Sequence, residues 1–239
     1  MIRLNHLKHI KTKDYRRVLF LRTVGNFLLF SSLFMIGKTF YQPVREEARF
    51  FIERLVQKKY LVAENETYKI STAYQPANQL AKVLNIKPVE VLAPVDAEYS
   101  IIIPKIGAKA KILANIDSAR APIYLEALKK GVAHAAGTAF PGEGGHIYLF
   151  AHSTDYFWNV GSYNAIFYLL TKLERSDEID LFYQGKRYTY KVIDRTIVDP
   201  AQVEYLTRKT NKEFLTLQTC WPPGTTLKRL LVFAVRKAE

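Results

Sequence analysis

Three textures of apolar and polar residues follow one another along the chain. Residues 18–37, VLFLRTVGNFLLFSSLFMIG, are almost unbroken in their apolarity, and their one charge, Arg22, lies near the start. Twenty helical residues span about 30 Å, the thickness of a bilayer core. In residues 43–59 the pattern becomes periodic. Val44, Ala48, Phe51, Ile52, Leu55 and Val56 recur at helical spacing, and Pro43 suits a first turn. This predicts an amphipathic helix whose apolar face meets the rest of the domain, the membrane surface or another chain. Residues 63–71 are polar, 74–86 read as a second short helix, and 87–99 as an extended, proline-bearing connector.

From Tyr99 onward the texture changes to short β-rich runs. YSIIIPKIG and KAKILANI are split by Gly107, and HIYLFA is fully apolar. EIDLFYQG and KRYTYKVIDRTIV flank a Gln184-Gly185 turn, and EFLTLQT and KRLLVFAVR come last. APIYLEALKKG reads as a short helix closed by Gly131. About eight short strands with few helices predict a mainly β fold, a closed eight-stranded barrel. No internal repeat is visible. The organisation read from these textures is a basic segment at 1–17, a transmembrane helix at 18–40, a helical stalk at 41–97 and a β-barrel at 98–239.

Charge sharpens the first part of this picture. The net charge is +13 over 239 residues. Residues 1–23 hold seven basic side chains against the single acid Asp14, a net +6. A basic chain suggests nucleic acid first, but here the basic cluster abuts an apolar span. That arrangement predicts a membrane anchor with its N-terminal flank in the cytoplasm and the rest exported, and no nucleic-acid partner. Arg22 can snorkel to the headgroups. A cleavable signal peptide would need small residues at A-x-A spacing, and residues 37–41, GKTFY, have none.

The chain has one cysteine, Cys220. It can form no internal disulfide, so it is either a small buried apolar group or a reactive thiol. A nucleophilic thiol needs a partner for its proton, most often histidine. His6 and His9 fall on the cytoplasmic side. His134 lies among small residues and reads as structural, and His146 begins an apolar strand. His152 ends that same strand where a polar stretch opens, which places it at a barrel rim. Acyl transfer also needs positive charge where an oxyanion develops. Arg229 lies nine residues after Cys220, on the next strand, so a hairpin return brings it back beside the cysteine. On spacing alone a solvated strand residue is the better reading of Arg229.

TLQTC, a short loop and KRLLVFA together resemble the T-L-x-T-C…R signature of sortases, the cysteine transpeptidases of bacterial cell surfaces. The resemblance extends backwards. IIIPKIGAKAKI is similar to the first two sortase strands, and YLEALKKGVAHAAGTAFPGEGGHIYLFAHS to the family's L-x-x-G-V-x-H…G-T…P-G…G-H-S/R segment. It covers about residues 99–235. It implies Cys220 as nucleophile, His152 as general acid and base, Arg229 as the oxyanion- and substrate-positioning arginine, and Thr219 as a residue that shapes the site. Ala151 stands where many members have glycine, and Gly145-His146 replaces a common Gly-Asn. No C-terminal membrane helix is expected after Glu239, and no acidic run of the kind that binds calcium in some members is evident.

The resemblance implies cleavage of a C-terminal sorting signal of the Leu-Pro-x-Thr-Gly kind on secreted proteins. A Cys220 thioester would then pass the acyl group to an amine of cell-wall precursor or of a pilin. No metal or organic cofactor is implied. The groove that takes the apolar Leu-Pro pair is expected along IVDPAQVEYL, from Ile197, Val198, Pro200 and Leu206, unless these residues plug the barrel. Trp221 could wall the groove or simply pack. Two other readings stay open: a hydrolase that uses water, and an anchored assembly or adhesion module without activity.

Overall fold

The computed structural model describes residues 12–63, 88–153 and 166–238. The predicted short helix at 74–86 lies outside them. The chain divides into two units, residues 1–45 and 46–239.

In the first unit the described chain is one helix, α1 (Thr12–Leu55), which continues into the second. Its N-terminal part holds an apolar window long enough to cross a membrane, with mean hydropathy 1.7. The large side chains there face outward, Phe20, Phe27 and Phe34 at 68%, 69% and 72% exposure. A helix with exposed apolar residues all round is suited to lipid. The sequence pattern separates anchor and amphipathic helix at Pro43, yet α1 runs through it. Proline removes one backbone hydrogen bond, and residues 38–42 and 44–48 contain no second breaker. The helix stops at Leu55, short of the predicted Lys59, where Gln57 turns to a left-handed φ of 52°.

The second unit is built around a closed barrel. Its strands are β3 (Tyr99–Ile103), β4 (Ala108–Ile116), β5 (Val132–Ala135), β6 (His146–Phe150), β7 (Glu178–Tyr183), β8 (Lys186–Val198), β9 (Phe214–Trp221) and β10 (Lys228–Arg236). The order around the barrel is β10-β8-β7-β3-β4-β5-β6-β9. Two neighbouring pairs are parallel, β4 with β5 and β6 with β9. The first needs a crossover, supplied by α2 (Ala121–Leu128). Gly131 follows it because the chain passes Lys111 closely: a Cβ there would lie 2.4 Å from that residue's carbonyl oxygen. The β7–β8 hairpin turns on Gln184 and Gly185, both at positive φ, as a two-residue turn of this hand requires.

Inward-facing residues alternate with outward ones. Ile147, Leu149, Leu215, Leu217, Leu230 and Val232 are fully or almost fully buried in the main core. Outside β3 and β7, Ile102 and Phe182 are covered by Leu92, Tyr60 and Val62. These come from two short parallel strands, β1 (Lys59–Val62) and β2 (Val89–Leu92). The connector that reads as merely extended thus holds a strand. Within this unit the last turns of α1 also join the barrel. Phe50 packs on the core, Arg49 donates to the Ile106 carbonyl at 3.3 Å, and Lys172 pairs with Glu47 at 2.9 Å.

Two buried histidines give the fold a pH dependence. His134, fully buried, meets the Tyr99 hydroxyl at 3.3 Å and the Thr138 hydroxyl at 2.8 Å. His146 meets the Thr216 hydroxyl at 2.8 Å. Burial pushes both down to about 4, and for His146 the Arg208 charge adds to it. An unfolded histidine titrates near 6.5, so the unfolded chain takes up protons first as pH falls. Stability is full above about pH 6.5 and declines toward pH 4, by up to about 3 kcal/mol per histidine at 1.36 kcal/mol per pH unit. The urea midpoint of the barrel is expected to drop between pH 7 and pH 5, and His134→Gln with His146→Gln to flatten that drop. An unchanged midpoint in the unsubstituted protein would contradict the burial argument.

Candidate active site

The outer face of four adjacent strands, β6, β9, β10 and β8, carries the candidate chemistry. Cys220 on β9 stands opposite Arg229 on β10, and Arg229 stands opposite Val198, the last residue of β8. Residues opposed in register share a face. On the other side of β9, the parallel pairing with β6 ends at Phe150 and Gln218. It is prolonged by two hydrogen bonds: Ala151 N–H to the Gln218 carbonyl at 3.1 Å, and the Thr219 hydroxyl to the Ala151 carbonyl at 3.0 Å. His152 follows directly. It lies two residues past Phe150 as Cys220 lies two residues past Gln218, at the same end of the pair. Cys220, Arg229 and Val198 therefore fall in one row, and His152 follows the end of the neighbouring strand β6.

Thr219 is 3% exposed and belongs to the opposite face of β9. Its hydroxyl ties β9 to the residue before His152, so its place in the site is that of a clamp. Cys220 is half-buried. Burial pushes its thiol up, and the Arg229 charge pulls the other way. A half-buried thiol beside a fixed cation is kept from ionising freely, yet its thiolate has a counter-charge when formed. Arg229 Nη1 donates to the carbonyls of Thr226 and Lys228, both at 3.1 Å. Among the described residues its Nε and Nη2 make no hydrogen bond, which leaves donors for a substrate oxygen.

The four residues expected to line a groove divide by strand parity. Val198 is 6% exposed and packs with Leu231 and Phe233 on the outer face, against the partly buried Tyr205. Ile197 projects from the other side of β8 and is 47% exposed. Pro200 is exposed in the loop that follows, and Leu206 is partly buried against the main core. Trp221 shares the face of Thr219 and packs, partly buried, against the core.

Several outer-face residues escape the sequence reading. Tyr205 stacks on Phe233 at 5.8 Å, and the Arg208 guanidinium lies 5.1 Å from the Phe214 and Phe233 rings. These contacts hold residues 199–213 over the sheet, as does an ion pair of 3.0 Å between Lys228 and Asp199. Tyr148 donates to Gln218 Oε1 at 2.6 Å, directly below Cys220. Tyr148 and Gln218 meet only because β6 and β9 are neighbours, and no local signal carries that.

Residues 101–237 match the family model of the sortase domain, a span of more than half the chain. The chain belongs to the sortase family. Its relatives include sortase D of Bacillus subtilis (strain 168), 30% identical over 137 residues, 56% of this chain and 61% of that protein. The chain thus matches less than two thirds of that relative. Among solved structures, sortase C-1 from Actinomyces oris is similar with 30% identity and a TM-score of 0.50, over 61% of this chain and 76% of that one. The lid-mutant of Streptococcus agalactiae sortase C1 is similar with 28% identity and a TM-score of 0.50, over 59% and 68%. The eight-stranded barrel is the sortase fold, and the row built on Cys220 stands within the sortase domain.

Proposed function

We propose that this protein is a membrane-anchored sortase that cleaves a C-terminal sorting signal through a Cys220 thioester and passes the acyl group to an amine. The observation that carries this is the register of Cys220 with Arg229, with His152 two residues beyond the end of β6. Cys220, His152 and Arg229 are the catalytic residues of this reading. The Cys220 sulfur attacks the threonine carbonyl of a Leu-Pro-x-Thr-Gly-type segment. The negative oxygen that develops is met by Arg229. The leaving amine takes a proton from His152, and the acyl group stays on sulfur as a thioester. An amine from cell-wall precursor or a pilin then attacks the thioester and gives up a proton to His152, and the thiol is regenerated. Burial holds the Cys220 thiol up and the Arg229 charge offsets part of that, so the thiolate is favoured where the arginine faces it.

The same reading assigns residues 1–17 to the cytoplasm, 18–40 to the membrane, and 41–97 to an extracytoplasmic stalk. The catalytic barrel, 98–239, is placed outside. Basic residues on the N-terminal flank of the apolar span support this orientation. A substrate with its own hydrophobic tail shares that bilayer, which raises the effective concentration of both. Thr219 clamps the site. Val198, on the face of Cys220, and the segment that follows it from Pro200 to Leu206 form the surroundings in which the apolar residues of the signal dock, while Ile197 and Trp221, on the opposite face, support those strands from behind.

The test is a library of sorting-signal peptides incubated with the full-length protein in micelles, with glycine-based and lysine-based amines present and products read by mass spectrometry. Cleavage with amine adducts is expected. Cleavage that yields only free acids would make the protein a hydrolase. No cleavage of any peptide would favour an assembly module.

A further inference from the structure

Two residues before Cys220, the same face of β9 carries a second polar pair. Gln218 accepts the Tyr148 hydroxyl at 2.6 Å, and Tyr148 is only 4% exposed. Gln218 itself is half-buried, although its neighbours in register, Phe150 on β6 and Leu231 on β10, are apolar and buried. A glutamine between two such residues carries a desolvation cost, and its one internal hydrogen bond uses the amide oxygen and leaves the NH2 group to be satisfied. The Tyr148 hydrogen bond occupies the amide oxygen and fixes the orientation of the NH2 group. Among the described residues that Nε2 makes no hydrogen bond. The pair is also close to the catalytic row in its electrostatics: the Arg229 charge acts on the Tyr148 hydroxyl as it does on the Cys220 thiol.

We propose that Gln218 Nε2, held in place by Tyr148, donates a hydrogen bond to a backbone carbonyl of the bound peptide and so sets the peptide's register over Cys220. The inference rests on the transpeptidase reading and deepens it. Two residues of strand are about 6.6 Å long, and an extended peptide has the same rise. A peptide lying along β9 with one carbonyl at Cys220 therefore brings the carbonyl two residues away to Gln218. Backbone recognition of this kind is indifferent to side chains. It fixes which peptide bond reaches the sulfur and leaves the choice of side chains to the apolar surroundings of Val198. Gln218 is a binding residue in this scheme and Tyr148 a positioning residue.

The experiment compares Gln218→Met, Tyr148→Phe and the double variant with the unsubstituted full-length protein, using the quenched peptide that protein cleaves fastest. Methionine keeps the length of glutamine and removes its donor. Gln218→Met and the double variant are each expected to raise KM about tenfold, the scale of one lost hydrogen bond, with kcat within about twofold. Tyr148→Phe alone raises KM less, and adding it to Gln218→Met raises it no further. Removing both polar partners leaves neither one stranded, so the double variant melts with the unsubstituted protein. Its Cys220 is alkylated by iodoacetamide at the same rate. A double variant with unchanged KM overturns the inference and leaves the transpeptidase reading intact. A raised KM accompanied by a lower melting temperature or a changed alkylation rate also overturns it, because the pair is then structural. If the unsubstituted protein cleaves no peptide, the transpeptidase reading fails and this inference with it.

Discussion

Cys220→Ala is expected to leave neither peptide cleavage nor amine transfer, while the barrel still folds. The chain contains no other thiol to take over. The side chain is half-buried on the outer face, outside the main core, so its loss removes little packing. His152→Ala is expected to come close behind, with a loss of roughly a hundred- to ten-thousandfold, the range for removing a general acid and base. In the proposed reaction both steps need it, once to protonate the leaving amine and once to accept a proton from the incoming one. The other two described histidines serve as internal controls. His134 is fully buried between Tyr99 and Thr138, and His146 bonds Thr216 at the far end of β6. Their alanine variants are expected to lower melting temperature with kcat per folded molecule retained. Full turnover in His152→Ala, or loss confined to His134→Ala, would show that the wrong histidine has been chosen. A Cys220→Ala protein that still joins peptide to amine would remove the enzyme assignment.

The second large effect concerns Arg229, and two substitutions separate its two contributions. Arg229→Ala is expected to lower kcat/KM by about a hundredfold or more, the scale of one lost oxyanion donor. It also takes away the charge that pulls the Cys220 thiol down. The pH at which iodoacetamide begins to react with Cys220 should therefore move upward. Arg229→Lys keeps a positive charge but not the planar fork of donors. Its alkylation profile is expected to stay near that of the unsubstituted protein while turnover falls well below it. If lysine restores turnover fully, the role of Arg229 is one of charge alone, and the donor geometry described for it is irrelevant. If alanine leaves turnover unchanged, Arg229 is a solvated strand residue and no more.

Most of the barrel was legible because its strands are short apolar runs with marked punctuation, such as the Gln184-Gly185 hairpin. What periodicity could not give is which strands become neighbours. Phe214 to Trp221 lies beside His146 to Phe150, in parallel and some 70 residues away, and no local pattern encodes that. Spacing brought Arg229 back toward Cys220 but favoured a solvated strand residue. Only the resemblance to the T-L-x-T-C…R signature gave it a role, and the register that sets the two opposite each other appears in the structure. Ile197 and Val198 were grouped as one groove segment. The structure continues β8 as far as Val198, and alternation then sends the two side chains to opposite faces. Pro43 suggested a fresh helix start, but a single proline does not end a helix whose flanks both favour it. β1 and β2 stayed hidden because each is only four residues long, too short for its alternation to stand out from the surrounding sequence.

The parallel contact between β6 and β9 also governs when reactivity arises. β9 is the strand that fills the gap between β6 and β10, and it comes from the last tenth of the chain. Loop closure over so many residues is entropically costly and comes late when long-range pairings dominate a fold. Until that closure Cys220 has neither the Ala151–Thr219 link that brings His152 alongside nor a β10 partner to present Arg229. A chain whose last two strands have not closed the barrel therefore lacks both neighbours of Cys220. On the proposed transpeptidase reading, the nucleophile, its histidine and its arginine come together only with the final strands, and an open barrel holds them apart.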